Sequence, residues 1–307
     1  MRRIFVNPFR EDGKWFKGNV HAHSTGSDGT RTPKQLVELY SGAGYDFLSI
    51  TDHGVVTDVE GLGNAGFLLI PGEEMCIGRT HAATPYHIVA LGIKETLPFK
   101  DFDRDLDPQL VIDHVNDVGG LAILAHPYWS GLNNRDMMEI EGYHGVEIYN
   151  TSCEYERNTG FSGSHIDDII VMGRRPWIYA VDDHHGAERP LLPLDAAAAW
   201  IMVKSDSLGV DEIMSRIRRG LFYSSTGPEI RDISIDEEGV ISLECSPVKE
   251  ISFVSTPSLG IKYYAEGGPL TGASYEGRQG ETYVRIEVTD SEGRRAWSNP
   301  IYNEPEN

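Results

Sequence analysis

The segments Gly18-Asn19-Val20-His21-Ala22-His23 and Thr32-Pro33-Lys34-Gln35 decide the fold of the chain. The first is the end of a predicted strand. The second begins a predicted helix, because threonine suits the N-cap, proline suits the first helical position and glutamine completes a capping box. The helix is predicted to end at Gly42 and Gly44, and a buried strand at Phe47–Ile50 follows. This part of the sequence therefore predicts a strand–helix–strand unit.

The same rhythm continues through roughly the first 225 residues. Further helices are predicted from Asp107-Pro108, at Ile166–Met172 and at Val210–Arg219. Further strands are predicted at Phe67–Ile70, His87–Leu91, Leu121–Leu124, Val146–Tyr149, Trp177–Val181 and Trp200–Val203. Alternating strands and helices predict an α/β fold with a parallel sheet or barrel.

The pattern changes after Thr226-Gly227-Pro228, where helical periodicity ends. Short alternating segments separated by turns predict strands at Ile230–Ile235, Val240–Cys245, Ile251–Val254, Tyr283–Val288 and Ala296–Ile301. We therefore expect two domains: an α/β domain over residues 1–226, and a small all-β, sandwich-like domain over residues 227–307.

Composition narrows the possible partners. The 307 residues carry 27 basic and 47 acidic side chains, for a net charge of −20. This balance argues against a nucleic-acid polymer as the main partner, although a small anionic substrate remains compatible with it. The three distant cysteines predict neither a disulfide framework nor a cysteine-based zinc site. The sequence has neither a signal-peptide pattern nor a bilayer-spanning segment, so we expect a cytoplasmic protein that does not act at a membrane.

Histidine and carboxylate side chains gather where the predicted strands end. His21 and His23 are two positions apart on one strand, so their rings face the same side. His87 is the exception, because it begins its strand. At the carboxyl ends of parallel strands such residues converge, and a cysteine-free set suits two or three divalent transition-metal ions. The remaining members of this pattern are Asp28, Asp52-His53, Glu73-Glu74, His126 and Asp182 to His185.

These motifs, taken in order, resemble the PHP (polymerase and histidinol phosphatase) family of metal-dependent phosphoesterases. The order is His-x-His, Ser-Asp-Gly, Thr-Asp-His, Pro-Gly-x-Glu, a histidine opening an Ile-Val-Ala-Leu-Gly strand, Ala-His-Pro and Asp-x-His. The segments Ala125 to Gly131 and Ser225 to Pro228 are similar to a branch with the same β-rich tail, which includes carbaryl-type carbamate hydrolases. The resemblance implies a distorted (βα)7 barrel for the first domain.

The resemblance also implies a set of metal ligands. One cation would be held by His21, His23, Glu74 and Asp183, and Glu74 would bridge to a second cation held by His87 and His126. Asp28, His53 and His185 would hold a third, with zinc, manganese or iron as the metal. Two alternatives remain at this point: Glu73 in place of Glu74, and the pair Asp182/His184 in place of Asp183/His185.

Metal ligands of this kind predict hydrolysis by a water or hydroxide that bridges two cations. Position along the chain makes His184 and Tyr128 candidate acids for the leaving group. Arg157, Arg174 and Arg175 are candidate anchors for an anionic group. Asp52, Glu147 and Asn150 lie beside ligand positions, and we expect them to orient the imidazoles.

The leading hypothesis is a phosphoesterase that acts on a small phosphate ester. The nearest alternative is a hydrolase of a carbamate, amide or carboxylic ester that uses the same metal site, and a third is a non-catalytic, metal-stabilised binding module. An amidohydrolase with a carbamylated lysine is disfavoured, because no lysine ends a predicted strand. The sequence does not determine the oligomeric state.

Overall fold

The computed structural model describes residues 2–64, 66–186, 193–256 and 258–304. Within these ranges no helix is both long enough and apolar enough to cross a lipid bilayer. The α-helices are α1 (Pro33–Gly42), α2 (Pro108–Asp117), α3 (Pro127–Ser130), α4 (Asn134–Glu139), α5 (Thr151–Arg157), α6 (Gly163–Val171) and α7 (Val210–Arg218). The strands are β1 (Arg2–Ile4), β2 (Lys14–Asn19), β3 (Phe47–Ile50), β4 (Leu68–Ile77), β5 (Tyr86–Leu91), β6 (Leu121–Leu124), β7 (Gly145–Asn150), β8 (Trp177–Val181), β9 (Trp200–Ser205), β10 (Phe222–Ser225), β11 (Ile230–Ile235), β12 (Ile241–Val248), β13 (Glu250–Ser255), β14 (Gly260–Tyr264), β15 (Leu270–Tyr275), β16 (Tyr283–Thr289), β17 (Arg295–Trp297) and β18 (Ile301–Glu304).

Helices α1 and α2 begin where the sequence predicts them. The hydroxyl of Thr32 accepts a hydrogen bond from the Gln35 N–H, and the Gln35 side chain accepts one from the Thr32 N–H, so the capping box is confirmed. At the start of α2, the Asp107 carboxylate accepts from the Gln109 N–H, and Pro108 occupies the first helical position. Each cap satisfies N–H groups that have no partner inside the helix.

The main sheet is mixed. Strands β2, β3 and β4 are parallel to one another, and so are β6, β7 and β8. Between these sets, β5 runs antiparallel to both β4 and β6. On the other side of β2, β9 and then β10 continue the sheet in antiparallel pairs. The predicted α/β class is therefore confirmed, whereas the prediction of a purely parallel sheet is wrong.

The predicted barrel is not confirmed, because the strand ladder of the described residues does not close. The order runs from β2 through β3, β4, β5, β6 and β7 to β8. The segments after β2 and β8 do not form a strand ladder with each other, but they are joined by an isolated bridge between Ala22 and His184. Two backbone hydrogen bonds hold that bridge, from the His23 N–H to the His184 carbonyl and from the Asp183 N–H to the His21 carbonyl. These bonds bring the two ends of the strand series together at one edge.

Strand β4 is longer than the sequence predicts. The prediction ended the strand at Ile70, with Glu73 and Glu74 after it, but β4 continues to Ile77. The extension forms because Gly72–Ile77 pairs with β5 across an antiparallel ladder. Glu74 therefore lies inside a strand, and its direction follows the alternation of that strand.

The region after β10 is rich in sheet, and its described residues contain no helix. Strands β11, β12 and β15 form a separate three-stranded sheet, while β17 joins the main sheet beside β10. Apolar side chains from both sheets, including Ile233 and Val288, form one buried cluster. Strand β1 pairs with β18, so the beginning of the chain also contributes to this region, which the sequence does not predict. The domain boundary at residue 226 stays a prediction.

Candidate metal centre

The side chains predicted to bind metal meet at one end of the main sheet, around a cavity of about 550 Å³. His21 and His23 are completely buried and contact Glu74 and Asp183, which line the cavity. The other predicted ligands in the cavity wall are Asp28, His53, His87, His126 and His185.

The strand directions explain this convergence. His21 and His23 follow β2, His53 follows β3, and Asp183 follows β8. His87 reaches the same place although it stands at the beginning of β5. Because β5 is antiparallel, its amino end lies beside the carboxyl ends of its neighbours.

The first predicted ligand group is compact. The Nε2 atoms of His21 and His23 lie 3.3 and 3.1 Å from Oε2 of Glu74. Both Nε2 atoms also lie 3.1 Å from Oδ1 of Asp183. All four side chains are buried, and their ligand atoms form one group that could hold a cation.

Glu74 also connects to the second predicted group. Its Oε1 lies 2.9 Å from Nδ1 of His87 and 3.4 Å from Nε2 of His126. The ring of His53 lies nearby as well, with Nε2 at 3.4 Å from Oε2 of Glu74. The compact group that contains His87 therefore includes His53 in addition to Glu74.

The third predicted group lies at the outer side of the cavity. His185 Nε2 is 3.5 Å from Oδ2 of Asp28, and His23 Nδ1 is 3.5 Å from Oδ1 of the same carboxylate. With His53, these residues form a further candidate cation group. His23 and His53 thus each stand between two groups, an arrangement that the resemblance does not imply.

The chemistry of the first group fits a cation. Oδ1 of Asp183 is buried and has no hydrogen-bond partner among the described residues. A buried carboxylate oxygen without a partner is costly unless positive charge compensates it. Four ligand atoms at about 2.1 Å from one tetrahedral cation lie about 3.4 Å apart. The separations of 3.1 to 3.3 Å between the imidazole nitrogens and carboxylate oxygens are close to that value.

Hydrogen bonds behind the rings orient them. Nδ1 of His21 lies 2.7 Å from Oε1 of Glu147, as expected for that carboxylate. Nδ1 of His126 lies 2.9 Å from the hydroxyl of Ser130. When Nδ1 carries the proton in such a contact, the lone pair of Nε2 faces the centre.

Two other residues expected to orient imidazoles have different partners. Asp52 accepts from the Ser24 N–H at 2.6 Å and from the Ser27 hydroxyl at 2.8 Å, so it shapes the loop that carries Asp28. Asn150 donates from Nδ2 to Glu147 and to Asp183, at 2.9 and 3.1 Å. Among the described residues, Asp52 thus bonds to a loop and Asn150 to carboxylates, and neither makes a direct hydrogen bond to an imidazole.

The structure distinguishes the two pairs of alternative ligands. Glu73 points to the opposite face of β4 from Glu74, where it accepts from the Leu97 N–H and where burial raises its pKa to about 7. Asp182 accepts from the hydroxyls of Tyr40 and Thr151 at 2.9 Å, away from the cavity. The cluster therefore contains Glu74 and Asp183.

Electrostatics favour ionised carboxylates in the centre. Burial alone would raise the pKa of Glu74, but the neighbouring rings of His21, His53 and His87 hold it well below its usual value. Burial opposes charge on His185 too, yet Asp183 and Asp28 raise the pKa of its ring to about 10. The cluster is thus arranged to hold positive charge, for which protons and cations would compete.

The three residues proposed for catalysis from their positions are not in the cavity wall, and their catalytic role stays a prediction. His184 is completely buried, with Nδ1 at 2.7 Å from Asp195 and Nε2 at 3.2 Å from Arg31. Tyr128 is 51% exposed and contacts the ring of His165 instead. Arg174 donates to the carbonyls of Met138 and Ile140 at 2.8 and 3.0 Å.

Of the other two arginines proposed as anchors for an anionic group, one lies outside the cavity wall and one lies in it. Arg175 pairs with Glu304 and lies over the ring of Tyr302, so it does not anchor a ligand in the cavity. Arg157 does line the cavity, where it pairs with Glu156 and lies over the Trp129 ring.

Sequence reasoning missed the segment Asp101 to Arg104. Phe102 and Arg104 line the cavity, and Oδ2 of Asp101 lies 3.6 Å from Nδ1 of His53. Phe102 has a φ of 59°, and the cavity residues His126 and Asp183 have φ values of 30° and 54°. Left-handed backbone in residues other than glycine is strained and concentrates at functional sites. No pattern in the sequence marks this segment, because its residues reach the cavity only through tertiary packing.

Comparison with known proteins finds partial similarities. No protein-family model matches the chain. An uncharacterized protein of Methanocaldococcus jannaschii is 26% identical over 148 residues, which cover 44% of this chain and 81% of that protein. An amidohydrolase structure from Chromobacterium violaceum is 16% identical, with a TM-score of 0.43 over 56% of this chain and 88% of that chain.

A two-domain protein from Bacteroides vulgatus, which contains a predicted PHP-like metal-dependent phosphoesterase, matches with a TM-score of 0.53. The match is 17% identical and covers 90% of this chain and 91% of that chain. The present chain therefore shares its overall fold with a PHP-like two-domain protein.

Proposed function

We propose that this protein is a metal-dependent hydrolase, and that it is a phosphoesterase acting on a small phosphate ester. The observation that carries the proposal is the convergence of His21, His23, Glu74 and Asp183, where a buried oxygen of Asp183 has no hydrogen-bond partner among the described residues. The likeness of the fold to a PHP-like protein supports it.

In this proposal the four residues of the first group hold one cation, and Glu74 also contacts the rings of His53, His87 and His126. Bound divalent cations supply Lewis-acid chemistry, because they polarise the substrate and lower the pKa of water. The chain's own contribution is orientation: Glu147 holds the ring of His21, and Ser130 holds the ring of His126.

The cavity wall bears on the substrate class. Arg104 and Arg157 line it, and a guanidinium binds phosphate oxygens through paired hydrogen bonds. The same wall includes the aromatic rings of Phe102 and Trp129, which suit the apolar group of an aryl ester. That aromatic lining favours, as a second candidate, hydrolysis of an aryl carbamate, amide or carboxylic ester at the same centre.

The experiment combines metal analysis with a substrate panel. Protein purified without chelators is analysed for zinc, manganese and iron, and is assayed on aryl phosphates, nucleotides, aryl carbamates and aryl carboxylic esters. We expect bound metal and turnover of phosphate esters, with loss of both after treatment with a chelator. Turnover confined to carbamates or carboxylic esters would select the second candidate, and bound metal without any turnover would favour a binding module.

A matched pair of variants tests the centre itself. Glu74→Gln removes a carboxylate that faces the cluster, so metal content and turnover should both fall sharply. Glu73→Gln makes the same chemical change on the opposite face of β4, and metal content should stay at the wild-type value. Equal metal loss in the two variants would contradict the assignment of Glu74.

A further inference from the structure

Arg104 contributes to the cavity wall a guanidinium that is not paired with any described residue. Its side chain lines the cavity wall, and its Nη1 is buried without a hydrogen-bond acceptor among the described residues. A buried donor without a partner costs free energy, and the cost is greater for a charged group. An arginine in this state is explained if its partner arrives with a ligand.

Arg174 and Arg295 also have a buried nitrogen without a partner, but their other nitrogens donate hydrogen bonds, whereas no side-chain hydrogen bond or ion pair holds Arg104 among the described residues. Acidic side chains outnumber basic ones by 47 to 27, so carboxylate partners are abundant. The other cavity arginine, Arg157, pairs with Glu156 at 3.0 Å. Away from the cavity, the buried Arg285 is bound by both carboxylate oxygens of Asp167 at 2.7 Å. Arg104 therefore differs from a paired cavity arginine and from a paired buried one.

The segment that carries Arg104 is held in place. Oδ1 of Asp101 accepts from the Cys76 N–H at 2.6 Å, and the Phe102 N–H donates to the Cys76 carbonyl at 2.8 Å. These bonds attach the segment to β4, two residues beyond Glu74. Together with the left-handed backbone of Phe102, they hold Arg104 in the wall that also contains the predicted metal ligands.

We infer that Arg104 determines substrate specificity by binding an anionic oxygen group of the substrate, either a phosphoryl or a carboxylate group. The inference rests on the proposed function for the identity of the site and deepens it by naming the charge of the substrate. Anion binding itself does not require turnover, so the inference about Arg104 and the proposed hydrolytic function can fail separately.

The test uses two non-hydrolysable probes, phenylphosphonate and 4-phosphonobenzoate, which differ by one carboxylate. Their dissociation constants are measured by calorimetry on manganese-loaded wild-type protein and on Arg104→Gln. Charged hydrogen bonds contribute enough that we expect affinity for at least one probe to fall roughly ten-fold or more. The control is Arg79→Gln, an exposed arginine outside the cavity wall, for which both constants should stay as in the wild type.

The pattern of loss identifies the group that Arg104 binds. If Arg104→Gln binds both probes more weakly, the guanidinium binds the phosphonate. If it binds only 4-phosphonobenzoate more weakly, the guanidinium binds the carboxylate of that probe. Equal affinities of wild type and Arg104→Gln for both probes, or no binding of either probe by the wild type, would overturn the inference.

Stability gives an independent measurement. Because Nη1 has no hydrogen-bond acceptor in the described part of the chain, Arg104→Gln should leave the melting temperature unchanged or raise it. A lower melting temperature would show that Arg104 stabilises the fold, contrary to the inference. Arg104→Lys, which keeps the charge but loses the planar pair of donors, should have an intermediate affinity for each probe whose binding Arg104→Gln weakens.

Discussion

The carboxylate of Glu147 connects three parts of the site without entering the cavity. Its Oε1 lies 2.7 Å from Nδ1 of His21, and its Oε2 accepts from the His126 N–H at 2.8 Å. Oε2 also accepts from Nδ2 of Asn150, which donates in turn to Asp183. One buried side chain thereby positions residues from three separate segments.

We predict that Glu147→Gln weakens metal binding by about 10- to 100-fold, the usual effect of removing a partner behind a metal ligand. The physical reason is that the NH2 end of the new amide would face either Nδ1 of His21 or the N–H groups of His126 and Asn150, and each of these positions now uses a carboxylate oxygen. Competition with a chelator of known affinity measures the change. Glu38→Gln, an exposed glutamate on α1, is the control, and unchanged affinity in Glu147→Gln would remove Glu147 from the positioning role.

At the scale of elements, the direction of β5 and the length of β4 determine which side chains meet. The antiparallel ladder between them sets Glu74 opposite Val89, and Cys76 opposite His87. Since successive residues of a strand point to opposite faces, Glu74 and Cys76 both face the cavity, while Glu73 faces away.

Helix α1 supports this edge from the side of β2. Its residue Tyr40 is completely buried and donates to Asp182, the residue before the cavity ligand Asp183. The capping box at Thr32 stabilises the start of the same helix.

We predict that Thr32→Ala lowers the free energy of unfolding by about 1 kcal/mol, because the Gln35 N–H loses its acceptor. Chemical denaturation measures the difference. Thr32→Ser keeps the hydroxyl and should retain most of the stability. If alanine and serine variants were equally destabilised, the loss would come from packing of the methyl group and not from the cap.

At the scale of the whole molecule, Trp297 links the β-rich region to the α/β part. It lies on β17, is 1% exposed, and belongs to the largest buried cluster together with residues of β5 to β8. Its ring stacks on Tyr149 at 6.0 Å between centroids and lies 6.3 Å from Phe161. Tyr149 immediately precedes Asn150, so this packing lies directly behind the metal centre.

We predict that Trp297→Ala lowers the free energy of unfolding by about 3 to 5 kcal/mol, the usual cost of removing a buried tryptophan. Because the cluster contains residues of both regions, probes in the two regions should report the loss together during denaturation. Trp297→Phe, which retains an aromatic ring, should cost less. A loss confined to the β-rich region would indicate that residues 1–226 and 227–307 unfold independently.

Much of the architecture could be predicted from short-range information. The cap of α1, the cap of α2 and the positions of most strands follow from neighbouring residues, because propensity and hydrogen-bonding chemistry act over a few positions. The ligand-type side chains could be found for the same reason, since they stand where predicted strands end or begin. The resemblance then indicated which of them face one another.

Contacts between residues far apart in the sequence determine the length of β4, the direction of β5 and the side chains that line the cavity. Pairing with β5 extends β4 to Ile77, and β5 runs antiparallel to β4. Neither feature can be predicted from the sequence of one strand alone. Arg174 found carbonyl partners on the helix-flanking segment near Ile140, whereas Arg104, which has no distinctive motif, came to face the cavity. Local sequence specifies which groups a segment offers, but pairing and burial between remote segments select the groups that reach the site.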